Sequence, residues 1–243
     1  WICGKARGSS CTLCYLNKKD MNLKIIKTND GSDTLYNKEL DETYHSLHGS
    51  VTESKHVYIK AGLDSVVTDK KNKTLNILEV GLGTGLNLLL TLKYARKNNI
   101  KVRYHAIEPF PLDNTILKKL DFNNKLEGFD KKVYEKIHHP KNLEPVELSK
   151  NILFTKSITR LEQISFESEK YDLVFFDAFA PSKQPDIWSK ENFSLIKDAM
   201  KKSGVIVTYS SSGKLKDILK ELDFKIETLA GPKGKKEMTR AIK

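Results

Sequence analysis

Cysteine is almost absent from this chain. The three that occur, Cys3, Cys11 and Cys14, all fall within the first 14 of 243 residues. A thiolate nucleophile is therefore excluded from everything after Met21. Cys11 and Cys14 form a lone C-x-x-C, and a structural zinc site needs two further ligands at fixed spacing. A thioredoxin-like motif would need a strand before it and a helix after it, and neither pattern is there. No metal is expected, and residues 1–20 read as a tail or leader of no structural consequence. Long apolar runs are also missing. None approaches the roughly 18 residues that span a bilayer, and no signal-peptide core opens the chain. The expectation is a protein of the cytoplasm with no membrane partner. Internal repeats and low-complexity segments are absent as well.

What is abundant is positive charge. Lys and Arg number 42 against 31 Asp and Glu, a formal net charge of +11. The excess survives removal of the first 20 residues, which carry Lys5, Arg7, Lys18 and Lys19 against Asp20 alone. A polyanionic partner fits this balance, nucleic acid before membrane, since no basic amphipathic helix or lipidation motif accompanies it. A Lys-rich solvated surface fits it too.

The length suits one sizeable α/β domain with an appendage. Residues 21–73 read as an N-terminal extension. They hold a short strand at 23–26, a turn at Asp30-Gly31-Ser32 and a return strand at 34–36. A dense polar and aromatic stretch follows, including Tyr44, Ser46 and Glu53. Ser50 and Glu53 have the spacing of a capping box that opens a helix carrying Val57, Ile59, Leu63 and Val66 inward. From residue 74 to residue 243 strands alternate with helices. Strands are expected at 75–80, 102–107, 152–154, 171–176, 204–209, 224–229 and 238–242. Helices are expected at 85–96, 112–120, 125–137, 190–201 and 214–222. Such alternation predicts a doubly wound, mostly parallel seven-stranded sheet with right-handed crossovers. The loop Gly231-Pro232-Lys233-Gly234 is too short for a crossover, so the last strand must run antiparallel.

The strand at 75–80 ends in Glu79-Val80-Gly81-Leu82-Gly83-Thr84-Gly85, followed by an apolar helix pattern. This is a strand, a tight glycine turn and a helix N-terminus, an architecture that cradles a nucleotide-like ligand. The spacing G-x-G-x-G differs from the G-x-G-x-x-G of dinucleotide folds. With the antiparallel last strand, it points to a class I methyltransferase fold using S-adenosylmethionine. Ligands of doubly wound sheets sit outside the carboxyl ends of the strands. Glu79, Gly81, Gly83 and Gly85 would then flank the methionine part. Glu108, at the end of the second strand, would accept from the ribose hydroxyls or stand as a solvated strand-end acid. Ser157, after the third, would lie near the adenine. Asp177 ends the fourth strand, where a carboxylate can take a proton from an attacking amine, or else cap the next helix.

The blocks Glu42-Thr43-Tyr44-His45-Ser46, Gly81 to Asn87, Asp177-Ala178-Phe179-Ala180-Pro181 with Lys183-Gln184-Pro185-Asp186-Ile187-Trp188, and Lys235-Lys236-Glu237-Met238-Thr239-Arg240 resemble the MnmC/MnmD methyltransferase family over about residues 30–243. The resemblance implies methyl transfer from S-adenosylmethionine to the exocyclic amine of 5-aminomethyl-(2-thio)uridine at the tRNA wobble position. It implies Asp177 beside the amine, Phe179 stacked on a flipped base, and Tyr44, Ser46 and Glu53 covering the cofactor or base. It also implies Lys183, Lys235, Lys236 and Arg240 on phosphates of the anticodon region. Ser157 departs from the Asp expected there. Some members carry a C-terminal FAD-dependent oxidase. No second glycine fingerprint follows here, so FAD is not expected, and a functional link to enzymes that install the aminomethyl group is. The lack of cysteine agrees with attack by an amine, since methylation of pyrimidine carbon-5 usually begins with a thiolate. Other readings are a small-molecule N- or O-methyltransferase and a non-catalytic RNA-binding protein on the same fold.

Overall fold

The computed structural model describes residues 22–67, 74–122, 126, 130–139 and 141–243. The tail with its C-x-x-C and the first part of the expected helix at 125–137 lie outside these residues. In the extension, β1 (Leu23–Lys27) and β2 (Asp33–Asn37) pair antiparallel as expected, and a two-residue β3 (Glu42–Thr43) joins them. A helix then runs in from the surface as α1 (Ser50–Ser54), a π-helical segment (Lys55–Leu63) and α2 (Asp64–Val67). Its start differs from the expected capping box. Gly49 is the N-cap, and the Ser50 hydroxyl instead donates to the Asp33 carbonyl at 3.1 Å. Glu53 is thereby released for other work. π-Helical turns are rare and recur at functional sites; this one carries the buried Tyr58 against Phe175, ring centres 5.1 Å apart.

The main sheet comprises β4 (Thr74–Val80), β5 (Lys101–Ile107), β6 (Val146–Ser149), β7 (Ile152–Ser157), β8 (Tyr171–Phe176), β9 (Met200–Thr208), β10 (Lys225–Ala230) and β11 (Glu237–Ile242). Their order is β10-β11-β9-β8-β4-β5-β7-β6. The seven expected strands are present. Among the described residues an eighth, β6, adds an antiparallel edge against β7. β11 runs antiparallel between β9 and β10, as the short loop required. The central β8, Tyr-Asp-Leu-Val-Phe-Phe, is buried on both faces, as a strand covered by helices on both sides must be. The intervening helices are α3 (Leu86–Asn98), α4 (Asn114–Leu117), α5 (Lys131–His138), α6 (Lys190–Ala199) and α7 (Gly213–Glu221). The apolar residues form two clusters, one around Ile77, Tyr104 and Phe175, the other around Leu78, Phe176 and Phe193.

After β4 the chain builds outward through β5 to β7, and it then returns to place β8 and β9 on β4's other side. The order reverses between β4 and β8, so the crevice expected of this topology opens above that pair. Among the described residues no helix is long and apolar enough to cross a membrane.

Candidate active site

A cavity of about 850 Å³ occupies that crevice. Its floor is the strand ends Val80, Ile107 and Asp177, its roof the 42–46 segment with Glu53, and its far wall the loop 177–192. The turn between β4 and α3 needs glycine. Gly81, Gly83 and Gly85 have φ of +90°, +52° and +76°. A Cβ on Gly81 would stand 2.5 Å from the Asp177 carbonyl oxygen, and one on Gly83 would stand 3.1 Å from the Tyr44 ring. The turn is therefore a bare backbone cradle, closed on one side by the chain that follows β8. Glu108 reaches across it. Its carboxylate accepts from the amides of Gly83 and Phe110, each at 2.9 Å. The bare backbone of the turn and the carboxylate beside it are of a chemistry that fits a nucleoside cofactor, and Gly81, Gly83 and Glu108 are the residues that would hold one.

Asp177 hangs at the end of β8, its amide donating to the Val80 carbonyl at 2.9 Å. Asn87 Nδ2 donates to Asp177 Oδ2 at 2.7 Å and to Glu79 Oε1 at 2.9 Å, holding the two acids on one amide. Burial raises the Asp177 carboxyl to about 6, against the opposing pull of the neighbouring Tyr58 and Asn87. Glu79 is wholly buried and pushed well above the carboxylate range by the same desolvation. Burial thus disfavours the charged form of Glu79 below the turn, while Asp177 lies at about 6. A cavity-facing carboxyl poised near 6 can accept a proton at physiological pH.

Seven carboxylates line the cavity against Arg160, Lys183 and Lys235. The interior of this basic protein is thus acidic. Its aromatic wall is Phe179, whose ring meets Tyr44 edge-on at 4.9 Å. The Phe179 carbonyl is held by the Trp188 indole N–H at 2.8 Å.

Of the residues expected at the site, Asp177, Phe179, Glu108, Gly81, Gly83, Tyr44, Ser46, Glu53, Lys183 and Lys235 line this one cavity. Glu79 lies beneath it, and Gly85 packs on His138 and Ile137 rather than facing it. Ser157 is also off the cavity. It is buried, and its hydroxyl is paired with His105 Nε2 at 2.7 Å. The wall beyond β7 is made instead by Arg160, Leu161 and Glu162. Arg240 faces away, its guanidinium bound to Glu227 at 2.6 Å and to the Ala61 carbonyl at 3.2 Å. Lys236 is exposed outside the cavity. Glu42, Phe110 and Tyr209 line it without having been singled out by the sequence. Phe110 sits two residues past the strand-end acid Glu108, and that proximity is the signal from which it could have been found.

Residues 122–243 match a family model described as S-adenosyl-L-methionine-dependent methyltransferase. The chain belongs to that family. It is 32 % identical over 211 residues to the Campylobacter hominis tRNA 5-methylaminomethyl-2-thiouridine biosynthesis bifunctional protein MnmC, covering 85 % of this chain and 31 % of that protein. The Leptospira interrogans protein of the same name is 31 % identical over 220 residues, with 84 % and 33 % covered. The chain thus spans about a third of these relatives. The crystal structure of MnmC2 from Aquifex aeolicus superposes with a TM-score of 0.74 at 28 % identity, over 90 % of this chain and 70 % of that one.

Proposed function

We propose that this methyltransferase acts on tRNA, methylating the exocyclic amine of 5-aminomethyl-(2-thio)uridine at the wobble position. The observation that carries the reading is the Asp177 carboxylate, poised near 6 and packed against the glycine cradle. The names borne by the MnmC relatives supply the substrate class. When bound, S-adenosylmethionine supplies an electrophilic methyl group whose carbon–sulfur bond breaks with the electron pair leaving on sulfur. The protein's part is to bring a neutral amine to it in line. An ammonium has no lone pair, so Asp177 takes one of its protons first, and the freed lone pair then forms the nitrogen–carbon bond as the carbon–sulfur bond breaks. Phe179 and Tyr44 offer ring faces and edges to a base drawn out of its stack.

The charge distribution supports the same division of labour. A basic exterior suits the polyanionic carrier, and an acid-lined interior suits a cationic reacting group. Acidic lining by itself would also attract a small free amine, so the charge of the whole chain does not by itself disfavour a polyamine substrate. Nucleoside mass analysis separates these readings. Incubation with S-adenosylmethionine is expected to add one methyl group to 5-aminomethyluridine in tRNA and none to unmodified wobble uridine. Equal methylation of both would overturn the amine assignment, and faster methylation of a free polyamine than of tRNA would favour the second reading.

A further inference from the structure

Lys235 sits on the turn between β10 and β11, closed by Gly231 N–H to Lys236 O at 3.0 Å and Lys235 N–H to Pro232 O at 2.9 Å. A lysine on such a turn would ordinarily extend into solvent. This one folds inward. Its ammonium lies 3.0 Å from Glu53 Oε1 and 3.6 Å from the centre of the Tyr209 ring. The acceptors are themselves fixed. Glu53 Oε2 takes the Ser46 amide at 2.8 Å, and the Tyr209 hydroxyl donates to the Ala178 carbonyl at 2.8 Å. Asp177 and Glu42 are close enough to feel the Lys235 charge. The Tyr58 hydroxyl, 1 % exposed, neighbours Asp177 and faces the same group of acids. A carboxylate, an aromatic face and a second carboxylate at the inner end of a cavity are the chemistry that recognises one alkylammonium ion.

We propose that Glu53 and the Tyr209 ring form the subsite for the substrate's alkylammonium group, and that the Lys235 ammonium occupies it until substrate displaces it. The inference rests on the amine reading above. The terminal CH₂–NH₃⁺ of lysine and the CH₂–NH₃⁺ of an aminomethyl group are the same functional group, so the contacts that hold one suit the other. The exchange costs little when the displaced ammonium finds another anion nearby. An amine carried on a nucleic acid brings phosphates with it, and a free amine brings none. Lys235 would therefore act as a filter that yields to amines on polyanions and excludes small amines from an otherwise attractive acidic crevice. Gly234, at φ +90°, immediately precedes the lysine that must move.

The test compares affinity for two tRNAs, one bearing 5-aminomethyluridine and one with plain uridine, in the presence of S-adenosylhomocysteine so that no turnover occurs. Lys235→Ala is expected to raise the preference for the aminomethyl tRNA about 10-fold, even if affinity for both falls through lost phosphate attraction. Lys235→Gln, which keeps the stem and polarity, is expected to move the preference in the same direction, and Glu53→Gln to lower it. n-Propylammonium should compete with tRNA in Lys235→Ala and not in the wild type. An unchanged preference in both lysine variants, with the two affinities falling in step, would make Lys235 a phosphate contact and overturn the proposal. In a separate incubation with S-adenosylmethionine, failure of the wild type to methylate either tRNA would instead overturn the amine reading itself.

Discussion

Replacing Asp177 by Asn tests the chemistry at a single atom. The amide keeps the size of the side chain and removes its ability to take a proton. With the carboxyl at about 6, roughly 3 % of it is protonated at pH 7.5 and about 90 % at pH 5. The wild-type kcat/KM is therefore expected to fall about tenfold between those values, with its limb near 6. The sign follows from the active form being the carboxylate, which is lost as pH drops. Above the limb the rate should be level until the free amine itself titrates. In Asp177→Asn the limb should vanish and the rate should climb about tenfold per pH unit, because only amine already deprotonated in solution can react. At pH 7.5 the loss should be on the order of 10² to 10⁴, the span of general-base contributions. Single-turnover transfer of labelled methyl to aminomethyl tRNA measures this, with S-adenosylmethionine affinity taken separately by calorimetry. A variant that keeps the limb near 6 would refute the role. So would one whose cofactor affinity falls by the same factor as its rate, since that would move Asp177 to the donor side.

Glu108→Gln should weaken S-adenosylmethionine binding roughly 10- to 100-fold by calorimetry, as expected for a hydrogen-bonded charged acceptor, with little change in the rate of the loaded complex. Gly81→Ala forces a side chain into φ +90° and against the Asp177 carbonyl. A loss of about 1–3 kcal/mol is expected in chemical denaturation, and an unaltered midpoint would contradict the close crossing. Burial, the largest cause, pushes the His138 ring down to about 3, below the roughly 6.5 of an unfolded histidine. The unfolded chain then binds the extra proton first, so this group's share of stability is intact above pH 6.5 and declines as pH falls toward 3. At pH 5 the decline is about 2 kcal/mol. His138→Gln should shrink the difference in unfolding free energy between pH 7.5 and pH 5 by that amount.

The parts of the molecule legible in the sequence were those set by local pattern. Apolar runs such as 171–176 can only be interior strands, and the four-residue loop at 231–234 left no option but an antiparallel end. Glu108 and Asp177 were findable because a polar residue closing an apolar strand has one place to be, the carboxyl edge of the sheet. What escaped was set by partners distant in sequence. β6 is four residues of mixed polarity, Val-Glu-Leu-Ser, and exists as a strand only because β7 offers it an edge. Ser157 has the right address, but His105 on the adjacent strand takes its hydroxyl. Arg240 pairs directly across from Glu227 in the β10–β11 ladder, a partnership readable once that hairpin's register is counted out. Lys235 and Lys236 are adjacent in the same basic stretch, yet one turns into the crevice and the other out. No composition rule distinguishes them.

Gly81 and Asp177 leave neighbouring parallel strands at the same level, Val80 opposite Phe176. The loop that would carry the donor and the residue that would receive the proton are thus separated by one inter-strand spacing, about 4.8 Å, and are tied by main-chain hydrogen bonds rather than by side chains. The reach of the transfer is inherited from sheet geometry, which no single surface substitution alters. The pieces that choose the acceptor, the 42–46 roof, the 177–192 loop and the Lys235 turn, all lie outside that ladder. Relatives could therefore acquire different acceptors by rebuilding those loops while the distance over which a methyl group moves stays unchanged.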